Sequence, residues 1–150
     1  MRSNHMKLEF DALSCNEAFA RISVAAFMTQ LNPTVEEVAD VKTAVSEAVT
    51  NCIIHAYEDV SDKSEAKVEI ECEISDNKLL VCVRDFGTGI KDIRQAMEPL
   101  YTSKPQLERS GMGFAFMEAF MDSLEVSSQS GQGTCVRMMK IIEAFRDREA

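Results

Sequence analysis

Glu47 and Asn51 are four residues apart in Glu47-Ala48-Val49-Thr50-Asn51, inside a stretch that reads as one long helix. That spacing puts both side chains on one helix face, a single turn from each other, at the edge of an apolar stripe. A carboxylate so placed can take a proton from an attacking hydroxyl, and an amide oxygen one turn on is a hard ligand suited to Mg²⁺. A second pattern, Asp85-Phe86-Gly87-Thr88-Gly89, follows directly on an apolar segment. A carboxylate at the end of a buried strand can accept the amino group of a base, and Gly87 and Gly89 let backbone approach a flat ligand without Cβ interference. A third, Arg109-Ser110-Gly111-Met112-Gly113-Phe114, opens a helix. Backbone N–H groups at a helix start form an anion site, to which Arg109 adds a guanidinium fork matched to phosphate oxygens. Each pattern alone also fits a plainer role: a polar helix flank, a strand-to-loop turn, a glycine hinge. No GxxxxGK[ST] loop is present, and neither glycine pair completes GxGxxG. The specific signal is the combination of the three in this order.

The elements that must position these residues follow from hydrophobic periodicity. Residues 7–10 alternate polar and apolar, a short first strand. Ser14 and Glu17 form a capping-box pattern ahead of a helix expected to run to about Leu31, with Phe19, Ile22, Ala26 and Phe27 on its apolar stripe, until Asn32-Pro33 breaks it. Thr34 and Glu37 make a second capping box. Val38, Val41, Val45, Ala48, Cys52 and Ala56 then recur at spacings of three and four, one buried helical stripe. The polar stretch 58–65 reads as a loop. Residues 67–74 alternate strictly, Asp76-Asn77 turns the chain, and 79–83 is a more continuously apolar strand, so the pair is an antiparallel hairpin. A short helix over 92–97, a helix over 114–121, and a hairpin of 124–128 with 134–142 about Gly131-Gln132-Gly133 complete the chain. The order β-α-α-β-β-α-α-β-β predicts an α+β fold in a single domain over 1–150: a two-layer sandwich with helices on one face of a mixed, mostly antiparallel sheet.

Composition narrows the function classes. The chain has 150 residues, 45% of them hydrophobic and 27% charged, ordinary values for a water-soluble globular domain. A net charge of −9 leaves no basic footprint for sequence-independent nucleic-acid binding, while local groups and Mg²⁺ can still outweigh it around ATP. No apolar run approaches the roughly 20 residues of a membrane span, and the first ten residues lack the apolar core of a signal peptide; a cytoplasmic location is expected. The five cysteines, Cys15, Cys52, Cys72, Cys82 and Cys135, show no metal-ligand spacing, and most occupy apolar positions, which reads as reduced core cysteines.

Residues 47–51 resemble the N box of the GHKL (Bergerat-fold) ATPases, residues 85–89 their DxGxG box, and Gly111-Met112-Gly113 their second glycine box. The resemblance implies an α/β sandwich that holds ATP between the sheet's helices and a mobile lid, here about 91–110. It implies that Asn51 ligates Mg²⁺, that Glu47 is the general base, and that Asp85 reads the adenine amino group, with Gly87 and Gly89 lining the pocket. Thr134 resembles the threonine behind the adenine. The block Arg109, Ser110, Gly111, Met112 and Gly113 would meet the phosphates, with Lys104 of the lid either reaching them or merely solvated. Within the family, residues 98–114 look like the lid of the sporulation anti-sigma-F factors, and 46–55 and Phe19-Ala20-Arg21 are similar to them too. Such proteins are implied to be homodimers that bind a sigma factor, keeping it from RNA polymerase, and to phosphorylate a serine of an anti-anti-sigma protein, without contacting nucleic acid or membrane. Two departures, a polar segment after Tyr57 without glycine and a charged tail beyond Ile142, lie away from the expected site.

Three rival readings share this pattern: a stress-response anti-sigma kinase of the same family, a detached histidine-kinase catalytic domain, and a nucleotide-gated binding module without catalysis. Glu47 speaks against the last, since a pure binder needs no base there. Arg21, alone among apolar neighbours, is either a partner contact or a helix-surface charge. His55 reads as a helix-end histidine rather than a phosphoacceptor, and Glu69, Glu71 and Glu73 as the solvated face of a strand.

Overall fold

The structure, a computed structural model, describes residues 3–57, 63–90, 97 and 113–143. Strand β1 (Ser3–Asp11) leads into helices α1 (Asn16–Met28) and α2 (Val35–Asn51), the hairpin β2 (Lys67–Ser75) and β3 (Lys78–Asp85), helix α3 (Gly113–Phe120), and the hairpin β4 (Ser123–Gln129) and β5 (Gly133–Ile141). The strands form one sheet in the order β1-β2-β3-β5-β4, and every described pairing is antiparallel. The helices cover one face, with α2 packed between α1 and α3. The expected two-layer α+β sandwich is thus what the chain adopts. The short helix expected at 92–97 and the lid at 91–110 lie, apart from Met97, outside the described residues.

α2 forms where the second capping box predicts it. Thr34 Oγ1 accepts from the Glu37 N–H at 3.0 Å, and the Glu37 carboxylate accepts from the Thr34 N–H at 2.9 Å, which satisfies two donors that a helix start leaves open. Its stripe is buried as expected: Val41, Val45, Ala48 and Cys52 meet the sheet. Beyond Asn51 the helix widens into a π-turn, Cys52–Ala56, a distortion found frequently at functional sites. In the sheet, period-two alternation sends Val68, Ile70, Cys72 and Ile74 of β2 and Leu79, Val81 and Val83 of β3 into the same core.

α1 departs from expectation twice. The Ser14–Glu17 capping box does not form; the helix starts at Asn16 without a side-chain cap. The Glu17 carboxylate instead accepts from the Ser46 hydroxyl of α2 and pairs with Arg21 Nε at 3.5 Å, because a charged acceptor gains more from these donors than from one backbone N–H. The buried face is Ala20, Val24 and Met28, while Phe19 and Ile22 stand 51% and 57% exposed and Ala26 is exposed as well. Small Ala20 lets α1 approach α2 closely. Phe19 packs edge-on against Phe10 of β1.

The opposite sheet face is charged. Glu69 lies 3.6 Å from both Lys7 and Arg84, and Glu71 pairs with His5 at 2.7 Å, a bond that holds the Glu71 carboxyl below its usual value. The acidic run of β2 thus lies on the face away from the core, as expected, with Glu69 and Glu71 making cross-strand polar contacts there. Only Cys52 and Cys72 are core cysteines; Cys15 is exposed and Cys82 and Cys135 are half-buried on the charged face.

Candidate functional site

At the C-terminal turn of α2, the first sequence pattern meets Gly113 of the third, and the second lies close by. Glu47 and Asn51 project from one face of α2, both half-buried. Gly113, the first residue of α3, lies directly against them. A Cβ at Gly113 would sit 3.3 Å from Glu47 Oε2, 3.3 Å from Asn51 Nδ2 and 3.4 Å from Asn51 Oδ1. A residue with a side chain would crowd both polar groups, so glycine keeps this pocket wall open.

Asp85 ends β3 with its side chain on the helix-facing side of the sheet and is 5% exposed. Its Oδ1 accepts from the Gly87 N–H at 3.1 Å and from the Thr134 N–H of β5 at 3.2 Å. The Cys52 thiol, one residue beyond Asn51, also hydrogen-bonds to this carboxylate. Burial pushes the Asp85 carboxyl up, and these donors only partly offset it. Burial likewise pushes the Cys52 thiol well up, so it stays protonated as a donor. Cys52 thereby ties the Glu47–Asn51 end of α2 to Asp85.

The turn after Asp85 is clasped from both sides. Thr88 N–H donates to the Ala56 carbonyl at 2.8 Å, and a Cβ at Gly87 would lie 1.9 Å from that same oxygen, which admits only glycine. Gly89 takes φ +80, a left-handed conformation, and a Cβ there would strike the Gln129 carbonyl oxygen at 2.3 Å. Tyr57 Oη accepts from the Phe86 N–H at 2.9 Å and donates to the Lys67 carbonyl. On the β5 side, Thr134 Oγ1 lies 2.9 Å from Ser128 Oγ, which accepts from the Ile90 N–H at 2.7 Å. Thr134 is 9% exposed, beside Asp85.

Of the expected site residues, Glu47, Asn51, Asp85, Gly87, Gly89, Gly113 and Thr134 are thus gathered around the junction of α2, β3 and β5. Lys104, Arg109, Ser110, Gly111 and Met112 lie outside the described residues. Arg21 stands apart from Asp85. With Lys42, Thr43, Ser46 and Glu47 it lines a cleft of about 280 Å³ beside α1 and α2. Sequence reading did not single out Cys52 as a site residue, nor Tyr57 or Ser128. Cys52 was visible only as a core position of the stripe, and nothing local marks Tyr57 or Ser128, whose partners lie 29 and 38 residues away.

The donor set suits a nucleotide better than a metal held by protein alone. Among the described residues, no group of three or more His, Cys, Asp or Glu side chains could hold a metal ion. Mg²⁺ bound through one or two protein oxygens, with ligand phosphates supplying the rest, fits a single amide oxygen, that of Asn51, beside a glycine-lined opening. No helix among the described residues is long and apolar enough to cross a membrane.

Comparison with known proteins identifies the family and the fold. The sequence profile of the histidine kinase-like ATPase domain matches residues 12–140. The chain is 55% identical over 145 residues to the anti-sigma F factor of Clostridium novyi (strain NT), covering 97% of this chain and 99% of that one. It is 58% identical over 140 residues to the anti-sigma F factor of Clostridium botulinum (strain Eklund 17B / Type B), covering 93% and 96%, and 53% identical over 147 residues to that of Pasteuria penetrans, covering 98% and 97%. Among solved structures, it superposes on the RsbU and RsbW domains of a Mycobacterium tuberculosis protein with TM-score 0.67 and 17% identity, covering 93% of this chain and 32% of that one. It also superposes on the catalytic domain of histidine kinase ThkA with TM-score 0.53 and 15% identity, covering 91% and 97%. At those identities the two structures speak to the fold alone.

Proposed function

The chain belongs to the anti-sigma F factors within the histidine kinase-like ATPase domain family, and from that premise we propose that it is an ATP- and Mg²⁺-dependent protein serine kinase that also binds a sigma factor. In this reading it withholds the sigma factor from RNA polymerase and phosphorylates a serine of an anti-anti-sigma protein, acting as a homodimer in the cytoplasm. The observation that carries the reading is the meeting of Glu47, Asn51 and Gly113 at one end of α2, joined through Cys52 to the buried Asp85.

ATP supplies the transferable phosphoryl group, and Mg²⁺ the counter-charge for it. Asp85 is the acceptor for the adenine amino group, held in place by the N–H groups of Gly87 and Thr134. Gly87 and Gly89 bring backbone to the base, and Thr134 closes the pocket behind it. Asn51 offers its amide oxygen to the metal. Glu47, facing the cleft shared with Arg21, orients the partner's serine hydroxyl and takes its proton. Arg109, Ser110, Gly111, Met112 and Gly113 provide phosphate contacts, with Lys104 from the lid. Arg21, on the same cleft, contacts the protein partner; unchanged binding of both partners by Arg21→Ala would remove that role.

The test mixes the protein with Mg·ATP, a sporulation sigma factor and a candidate anti-anti-sigma protein, and follows complex exchange and the phosphorylated residue together. Acid-stable phosphoserine on the anti-anti-sigma protein is the expected result. Acid-labile phosphohistidine, or no affinity for Mg·ATP by calorimetry, ends the proposal.

A further inference from the structure

Cys82 of β3 and Cys135 of β5 face each other on the side of the sheet away from the helices. In the β3–β5 register Cys82 pairs with Arg137 and Arg84 with Cys135, so the two cysteines are diagonal neighbours on the same face. Their sulfurs are 2.6 Å apart, and both residues are half-buried, open to small solutes. The other thiols are differently placed: Cys52 and Cys72 are buried, and Cys15 is exposed at the start of α1.

We propose that Cys82 and Cys135 are a reversible redox site, a half-buried dithiol that closes to an intramolecular disulfide under hydroperoxide oxidants. The small adjustment from 2.6 Å to the roughly 2.05 Å of an S–S bond lies within side-chain rotation. The surroundings favour a reactive thiolate. Arg84 Nη2 is 3.8 Å from Cys135 Sγ, with Arg137 on the neighbouring position. Glu69 partly screens Arg84 at 3.6 Å, and Glu71 and Glu125 stand across from Cys82 and Arg137. The Cys82 thiol donating to Cys135, reinforced by Arg84, lowers the Cys135 thiol to about 6, while Cys82 is pushed up, the division expected of one attacking thiolate and one resolving thiol.

The chemistry balances in two steps. The Cys135 thiolate attacks a peroxide oxygen, the O–O bond breaks, and hydroxide leaves, giving a sulfenic acid at Cys135. The Cys82 sulfur then attacks the sulfenic sulfur, the S–S bond forms, the S–O bond breaks, and water leaves. The dithiol gives up two electrons and two protons, and the peroxide is reduced to water. The site is on the sheet face opposite Asp85 and Thr134, so it is independent of the nucleotide reading.

The reduced full-length protein is exposed to hydrogen peroxide, alkylated under denaturing conditions and digested with trypsin without reductant. The expected product is peptide 79–84 linked to peptide 110–137, from protein that runs as a monomer on a non-reducing gel. Of the five thiols, three remain titratable, and dithiothreitol restores all five. Cys82→Ser is expected to stop at the sulfenic acid, trapped by dimedone on peptide 110–137. Absence of the linked peptides from the wild-type protein, or their linkage only between two chains, overturns the proposal.

Discussion

The backbone N–H of Thr134, at the start of β5, donates to the carboxylate of Asp85, at the end of β3, across 3.2 Å. The two residues are register partners, and Gly133 just before Thr134 has no room for a side chain, since a Cβ there would lie 2.2 Å from the Asp85 carbonyl. The result is a buried carboxylate fixed by two backbone donors, with the cost of its burial borne by the strand pairing around it.

Asp85→Asn is expected to weaken nucleotide binding about tenfold to a hundredfold, the loss of one hydrogen bond to a charged group worth about 1.5–3 kcal/mol. Isothermal titration with Mg·ATP checks it, and wild-type affinity would remove Asp85 from the base-binding role.

The same residue gives a pH signature in the nucleotide-free protein. Its folded pKa is raised above the ordinary 3.8, chiefly by burial, so the native state keeps a proton that the unfolded chain releases. Its contribution to stability is complete below the unfolded value and is lost as pH rises from there through the folded value. The difference in urea midpoint between wild type and Asp85→Asn, followed across that window, is expected to shift against the wild type as pH rises. A shift in the opposite direction would contradict the burial argument.

Glu47→Gln should lower phosphoryl transfer about 10²–10⁴-fold, the usual contribution of a positioned base, with ATP affinity largely kept. Single-turnover phosphorylation measured beside calorimetric binding separates the two. Transfer at the wild-type rate would show that Glu47 is not the base.

Gly113→Ala places a methyl 3.3 Å from both Glu47 Oε2 and Asn51 Nδ2. The expectation is a slower transfer rate and an altered Mg²⁺ requirement, with folding stability little changed, since only side-chain ends must move. Asn51→Asp, which adds a charge without adding bulk, is expected to change the Mg²⁺ dependence as well. Identical Mg²⁺ titration curves for wild type and both variants would place the metal elsewhere.

Thr34→Ala removes one half of the capping box that starts α2 and is expected to cost about 1 kcal/mol. It should appear as a lower urea midpoint at unchanged slope, with catalysis unaffected, because Thr34 lies at the far end of α2 from the site.

Local rules carried much of this protein. The Thr34–Glu37 cap and the three-four stripe from Val38 to Ala56 are interactions between residues within one or two turns, so α2 and the face bearing Glu47 and Asn51 were legible without a fold. The alternation of residues 67–74 likewise determined which side of β2 faces the core. Local rules failed at α1, where Ser14 and Glu17 looked like a cap and Phe19 and Ile22 looked like core. Which face of that helix is buried depends on where α2 lies, and which donor Glu17 takes depends on Ser46, 29 residues on.

The residue types available for chemistry, and their order along the chain, were determined by the sequence itself, because each glycine, carboxylate and amide reports on its own immediate backbone. Only the tertiary structure decided that Thr134 reaches back 49 residues to hold Asp85, that Cys52 and Tyr57 brace the same turn, and that Cys82 and Cys135 meet on the outer face. These are cross-strand and cross-layer contacts, set by sheet order and register, and no periodicity within a single segment encodes which strand becomes the neighbour of another.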